Sequence, residues 1–236
     1  MCLPAYDGGP GMKPTIVRTI ARADSDAISR LGRAGVATVH EAQGRSGLLR
    51  PYMRPIYQTA RVAGSAVTVL CAPGDNLMIH AAIAVVRPGD VLVVTTFSES
   101  TDGMFGELLA ESCRAHGVAG LIIDAGVRDT AELAALGFPV WSKAVSAQGT
   151  AKTIPGSVNV PIVCAGQSVS PGDVIIGDAD GVVVVPRDAA NVVAAAADQR
   201  LAKEEASRAR LKAGELGLDM YGLRELLAQR GVEWKD

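Results

Sequence analysis

The feature that most constrains the fold is a regular alternation, through the middle of the chain, of amphipathic segments with short apolar runs. The predicted elements are strand 91–94, helix 107–116, strand 121–124, helix 130–136 and strand 139–144. The strands are nearly continuous in valine, isoleucine and leucine, as is typical of strands that are buried on both faces. Helices that alternate with such strands indicate an α/β fold with a layered sheet.

The flanking sequence extends this pattern. Upstream, the spacing of apolar residues predicts a helix over 23–35 that Gly35 ends, a valine-rich strand over 61–70 and a helix over 75–86. Beyond Gly156 the chain becomes rich in strands. Nothing resembles a flexible linker, so we expect one compact domain over residues 14–236 after a loose N-terminal extension, residues 1–13.

A long alanine-rich helix is predicted to begin at Asp188. It becomes densely charged over residues 199–212, so that its second half is polar on all sides. Such a helix usually leaves the body of its own domain, often to cross a neighbouring subunit.

Charge and composition exclude several classes of function. The net charge of −2 gives no basic field to attract nucleic acid or a membrane, and the apolar runs are too short to cross a bilayer. The four cysteines form no C-x-x-C pair, so we expect free thiols in a reduced, cytoplasmic protein. Glycine-rich nucleotide motifs and the spacing of zinc ligands are both missing.

The most informative polar residues follow the predicted strand 121–124. If that strand ends at Asp124, Arg128 and Asp129 lie in the loop beyond its carboxyl end, where open α/β sheets usually hold ligands. Glu107 begins a predicted helix, whose free N–H groups can bind a carboxylate.

Structural interpretations of the same residues stay open. Asp129-x-x-Glu132 is also an ordinary capping box for helix 130–136. Arg128 could be a surface residue, and Glu107 a first-turn acid favoured by the helix dipole. Asn76 and His80, four residues apart on one helical face, are typical of a solvated stripe as well as of a pocket wall.

Several segments resemble the 4-hydroxy-4-methyl-2-oxoglutarate / 4-carboxy-4-hydroxy-2-oxoadipate aldolases, which belong to a wider family named after a regulator of ribonuclease E activity. The likeness covers roughly residues 16–225 and is densest in Gly106-Glu107-Leu108-Leu109-Ala110 and in segments 121–129 and 138–143. It continues through segments 36–43, 75–82, 156–166 and 172–186.

This resemblance implies a compact α/β domain with a β/β/α swivelling-domain core and a long C-terminal helix. It also implies assembly as homotrimers or homohexamers, with Mg²⁺ or Mn²⁺ at the subunit interface and no Schiff-base lysine. The implied activity is cleavage of an oxo acid to pyruvate, in the degradation of aromatic compounds, with oxaloacetate decarboxylation as a second activity.

The resemblance also implies roles for individual residues. Asp129 would ligate the metal directly, while Glu107, and Glu204 from a neighbouring subunit, would hold it through water. Arg128 would contact the keto-acid end of the substrate. The remaining expected substrate contacts are Gly106, Leu108 and Leu109, whose segment supplies backbone N–H groups, and Asn76 and His80.

The chemistry agrees with this assignment, because cleavage beside a ketone leaves an enolate that needs positive charge near its oxygen. Three rivals are a lysine-type aldolase acting through Lys143, a non-enzymatic regulator that binds ribonuclease E, and a methyltransferase. The acids Glu107, Asp129 and Glu204 favour the aldolase over the regulator, and no glycine-rich cofactor loop supports the methyltransferase.

Overall fold

A computed structural model of the protein describes residues 13–235. The predicted N-terminal extension, apart from its last residue, therefore lies outside the described residues. Contacts group the chain into one unit that ends at Ala197 and a second that starts at Asp198. The single domain predicted over residues 14–236 stays a prediction.

Seven α-helices are described: α1 Ser25–Ala42, α2 Leu77–Ile83, α3 Glu107–Ala115, α4 Thr130–Ala135, α5 Ala190–Lys212, α6 Gly217–Met220 and α7 Leu223–Gln229. The described strands are β1 Arg54–Pro55, β2 Val62–Cys71, β3 Asp90–Thr96, β4 Gly103–Phe105, β5 Gly120–Val127, β6 Val140–Val145, β7 Ser157–Val158, β8 Ile162–Cys164, β9 Gln167–Val169, β10 Val174–Asp178 and β11 Gly181–Val185. A 3₁₀ turn, Arg187–Ala189, precedes α5.

The main sheet has the strand order β1-β6-β5-β3-β2-β10-β11, with β4 paired to β5 and β7 to β2. Strands β2, β3, β5 and β6 run parallel, whereas β10 and β11 are antiparallel. The chain around β1 touches both edges: Leu49 N–H donates to Val182 O of β11 at 2.9 Å, and Arg54 pairs with Ser142 of β6. The sheet is therefore nearly closed into a barrel, and the predicted α/β class is confirmed.

The apolar strands are buried because apolar clusters pack against both faces of the sheet. Inside the curved sheet, Trp141, Ile122 and Met53 form one cluster. On the outer surface, a second cluster packs against α2, α3 and α4. A third cluster packs α1 and the start of α5 against β10 and β11. Burial on both faces explains why the parallel strands lack an alternating pattern.

Two predicted boundaries need correction. Gly35 interrupts α1 with φ 80°, as predicted, but the helix resumes at once and continues to Ala42. Strand β5 does not end at Asp124: it runs to Val127, with a register shift against β6 between Ile123 and Gly126. Gly126 therefore lies within the strand, where close packing requires a glycine: a Cβ there would lie 2.1 Å from Thr101 O.

The second unit differs from the first in its packing. None of its described residues, 198–235, is buried. Its exposed large apolar side chains are Leu211, Leu216, Tyr221, Leu223, Leu226, Val232 and Trp234. Among the described helices of both units, none has the length and apolar character needed to cross a membrane.

Candidate active site

The site is formed where β4 brings the start of α3 beside the end of β5. Strand β4 pairs in parallel with β5 and leads through Gly106 into α3. Arg128, the first residue after β5, donates its backbone N–H to Phe105 O at 2.9 Å. Sequence reasoning missed β4, which is the element that places Glu107 next to Arg128 and Asp129.

The hydrogen bonds of the Asp129 carboxylate distinguish between capping of its own helix, α4, and a contact with another segment. Asp129 occupies the N-cap position of α4, but its side chain makes no capping hydrogen bond there. Its Oδ2 instead accepts the backbone N–H of Glu107, at the start of α3, at 3.1 Å. The residue has φ 54°, a left-handed conformation that aspartate tolerates better than most side chains. The capping-box prediction is therefore right about position and wrong about the bond.

Gly106 allows this contact between α3 and Asp129. A Cβ at Gly106 would lie 2.3 Å from Asp129 Oδ2 and 3.1 Å from Arg128 Cγ. Its backbone is extended, so glycine is required here for space and not for conformation. The predicted residue Gly106 thus lies at the contact between the two segments.

These segments line one cavity of about 580 Å³. Its walls are Asn76, His80, Gly103, Met104, Gly106, Glu107, Leu108, Leu109, Ser112, Arg128, Asp129, Glu132 and Lys152. Every predicted site residue of the first unit is among them. Lys152, Ser112 and the pocket-facing position of Glu132 were missed. Lys152 lies in a loop with no periodic pattern, so no local signal could have identified it.

The first turn of α3 contributes backbone donors to the cavity. The first N–H groups of any α-helix lack partners within the helix. That of Glu107 is used by Asp129, whereas those of Leu108 and Leu109 belong to residues that line the cavity. The side chain of Leu108 is 80% exposed, which is unusual for a leucine in an otherwise well-packed unit. A carboxylate is the ligand that such a helix start favours.

Charged groups of both signs meet at the cavity. Arg128 Nε lies 3.6 Å from Asp129 Oδ2, with 45% and 40% of the two side chains exposed. Partial burial, which removes water from the imidazole, is the larger cause that lowers the pKa of His80 from its ordinary value of 6.5, and the positive charge of Lys152 lowers it further. His80 is therefore mainly neutral at neutral pH, and Arg128 and Lys152 are the cations that line the cavity.

Asn76 presents an acceptor that no described protein group satisfies. It is 7% exposed, and its Nδ2 donates to Met104 O at 3.0 Å. Its buried Oδ1 has no hydrogen-bond partner among the described residues. A buried acceptor left without a donor is costly, so a water or ligand hydroxyl in the adjacent cavity would stabilise it. The solvated-stripe interpretation is therefore wrong for Asn76, although His80 is exposed.

Two other candidates lie outside this group of residues. Lys143 Nζ is 2.5 Å from Glu99 Oε1 and 5.7 Å from the centre of the Tyr52 ring. This pairing lowers the pKa of Glu99 and occupies the amine that a Schiff-base enzyme would use as its nucleophile. Glu204 belongs to the second unit, where it pairs with Arg200 at 3.0 Å.

The donor set suits a metal that keeps most of its water. Within residues 13–235, no group of three or more histidine, cysteine, aspartate or glutamate side chains is arranged to hold an ion. Asp129, Glu107 and Glu132 nevertheless share one cavity. A single direct carboxylate with water and substrate oxygens fits Mg²⁺, which rarely uses a cage made of protein groups alone.

The chain is similar in sequence to proteins of known name. The chain is 30% identical over 202 residues to a Halalkalibacterium halodurans protein named "Putative 4-hydroxy-4-methyl-2-oxoglutarate aldolase", covering 86% of this chain and 96% of that protein. A Burkholderia multivorans protein of the same name is 33% identical over 143 residues, covering 61% of this chain and 87% of that protein.

The fold of this chain is also found among solved structures. RraAS2 of Streptomyces coelicolor, described as an unusual member of the RNase ES inhibitor RraA protein family, matches with a TM-score of 0.71 and 29% identity. The match covers 80% of this chain and 99% of that one. The profile of the RraA-like family, described as Aldolase/RraA, matches residues 25–184. The chain belongs to the RraA-like family.

Proposed function

We propose that this protein is a divalent-metal-dependent pyruvate aldolase. Its substrates would be 4-carboxy-4-hydroxy-2-oxoadipate, cleaved to pyruvate and oxaloacetate, and 4-hydroxy-4-methyl-2-oxoglutarate, cleaved to two pyruvates. The observation that carries the proposal is the orientation of Asp129. Its carboxylate does not cap α4 but accepts a hydrogen bond from the start of α3, beside Arg128. The names of the relatives support the same class of reaction.

Different residues of the cavity would bind the substrate and stabilise the charge that develops during the reaction. The backbone N–H groups of Leu108 and Leu109 would bind the carboxylate of the keto acid, as helix starts bind anions. Arg128 would lie near the keto oxygen, where negative charge develops as the bond breaks. Asp129 would hold Mg²⁺ or Mn²⁺, and the ion would add positive charge near the same oxygen.

The proposed reaction conserves atoms and charge. The tertiary hydroxyl gives its proton to a base in the cavity, either a carboxylate or a water held by one, its oxygen forms the new carbonyl, and the adjacent carbon–carbon bond breaks. The electron pair of that bond passes to the enolate of pyruvate, which then takes up a proton. Glu107 and Glu132 are the other carboxylates that line the cavity. Decarboxylation of oxaloacetate yields the same enolate, so it would be a second activity.

We further propose that the protein works as a homotrimer or homohexamer in which Glu204 completes a neighbouring site. The second unit supports this proposal, because none of its described residues is buried and Tyr221 and Trp234 are 59% and 71% exposed. Exposed apolar groups of this size usually mark a surface that packs against another chain.

The second candidate function is a regulator that binds a ribonuclease. The similarity to RraAS2 along nearly the whole length of that protein favours it. The two candidates differ in what they require of the cavity, since a regulator needs neither Arg128 nor Asp129 for catalysis.

A turnover assay, complemented by a separate assay of ribonuclease inhibition, separates these candidates. The purified protein is mixed with each oxo acid, and pyruvate release is followed with lactate dehydrogenase in the presence of Mg²⁺, of EDTA, and of EDTA followed by excess Mn²⁺. We expect turnover that EDTA abolishes and the added metal restores. Full activity in EDTA, with inactivation by borohydride plus substrate, would establish the lysine-type aldolase. No turnover, together with inhibition of a ribonuclease, would establish the regulator.

A further inference from the structure

Asp75 connects two separate parts of the cavity wall. It is 1% exposed and lies just before α2. Its Oδ1 accepts Leu77 N–H at 2.9 Å. Its Oδ2 accepts Thr153 N–H at 2.7 Å, the Thr153 hydroxyl at 3.1 Å and Ile154 N–H at 3.0 Å. One carboxylate thus binds both the start of α2 and a loop almost 80 residues later.

Backbone hydrogen bonds reinforce the same connection. Ala151 N–H donates to Gly74 O at 2.8 Å, and Asn76 N–H donates to Ala151 O at 3.0 Å. Lys152 is therefore held on both sides, by Ala151 before it and by Thr153 after it. Lys152 lines the cavity, and its charge acts on His80 of α2.

The carboxylate is well suited to this role because it is charged. Burial by itself would raise the pKa of Asp75, but the hydrogen bonds from Thr153, Leu77 and Ile154 outweigh burial and hold the pKa below its ordinary value of 3.8. Hydrogen bonds to an ionised acceptor are stronger than those between neutral groups. Loss of this carboxylate would leave several backbone donors without their partner.

We propose that Asp75 is a positioning residue of the active site. It clamps the loop of residues 151–154 to the start of α2 and thereby fixes Lys152 at the cavity wall beside His80. It does not contact substrate itself. The inference rests on the proposed function, because the clamp is useful only if the cavity binds an anionic substrate whose carboxylates meet Arg128 and Lys152.

The test compares Asp75→Asn with a matched control. Asp173 is also buried, at 9% exposed, and accepts Ser170 N–H at 2.8 Å and Arg187 N–H at 2.9 Å, but it does not line the cavity. Asp173→Asn should lower the melting temperature and leave kcat and KM unchanged. Asp75→Asn should raise KM about 10-fold, the effect typical of coupled neighbours.

A double-mutant cycle separates positioning from general stability. If Asp75 acts through Lys152, Asp75→Asn should cost nothing further once Lys152→Met has removed the cation. Thr153→Val, which removes only the hydroxyl bond, should give a smaller increase in KM and serves if Asp75→Asn does not fold. Additive effects of Asp75→Asn and Lys152→Met, or equal behaviour of the Asp75 and Asp173 variants, would overturn the proposal.

Limited digestion with trypsin gives a readout that does not depend on turnover. The clamped loop should resist cleavage after Lys152 in the natural protein and in Asp173→Asn, whereas Asp75→Asn should be cut there, as mass spectrometry would show. Equal cleavage after Lys152 in all three proteins would exclude the clamp. If the natural protein cleaves neither oxo acid, the proposed function fails, and the digestion still decides whether the clamp exists.

Discussion

Replacing Asp129 with asparagine tests whether this residue serves catalysis or structure. Asparagine keeps the shape, tolerates the left-handed conformation seen at φ 54°, and retains an oxygen to accept Glu107 N–H. The lost charge at the start of α3 is worth about 0.3–1 kcal/mol, and the half-exposed ion pair with Arg128 is worth about 0–1 kcal/mol. The free energy of unfolding should therefore fall by no more than about 2 kcal/mol.

Activity should fall far more than stability. Even partners outside the first coordination shell of a metal cost about 10–100-fold when they are changed, so loss of the direct ligand should lower kcat/KM by more than about 100-fold. Asp129→Gly is the matched control for strain, because glycine adopts a positive φ without cost. It lacks the oxygen that accepts Glu107 N–H, so it should be less stable than Asp129→Asn unless relief of backbone strain offsets that loss, and it should be equally inactive.

Three measurements decide the outcome: thermal unfolding, a titration with Mn²⁺, and pyruvate release at saturating metal. If Asp129→Asn retains both metal affinity and turnover, Asp129 is not a metal ligand and its carboxylate only positions α3. A loss of activity that merely follows the unfolded fraction would likewise assign Asp129 a structural role.

Three further predictions concern other parts of the site. Arg128→Ala should lower kcat by at least about 100-fold, as loss of an oxyanion donor does, and Arg128→Lys should recover part of it in the same steady-state assay; normal kinetics in the alanine variant would remove Arg128 from the mechanism. Glu204→Ala and Asp129→Ala, each inactive alone, should regain pyruvate release when co-refolded into mixed oligomers, and mixed oligomers without activity would exclude a role for Glu204 across an interface. The folded-state pKa of His80 lies below 6.5, so as pH falls through 6.5 the unfolded chain binds a proton before the folded chain does, and stability is lost. Thermal unfolding between pH 5 and 8 should therefore depend less on pH in His80→Gln than in the natural protein. Identical profiles would contradict the lowered pKa.

The sequence predicted those parts of the fold that depend on local pattern. The parallel strands are continuous apolar runs because both of their faces are covered, and α3 and α4 begin where predicted, at Glu107 and Thr130. Strand β4 was missed because three residues, Gly103–Phe105, are too short to show a period, and the strand exists through its pairing with β5. Lys152 was missed because its position depends on hydrogen bonds between its neighbours in the chain and a distant segment that includes Asp75.

The two interpretations of Asp129 show where local reasoning stops. A capping box and a carboxylate facing another helix start have the same letters, and only the position of α3 distinguishes them. That position depends on close approaches that a side chain would block: a Cβ at Gly103 would lie 2.2 Å from Ser146 O, and one at Gly106 would lie 2.3 Å from Asp129 Oδ2. Both glycines are needed because two segments that are distant in the sequence approach each other closely there. No motif within either segment can reveal such a requirement. These close approaches help to bring Arg128, Asp129 and the start of α3 together, so the sequence identified residues of the site but not the contacts that assemble them.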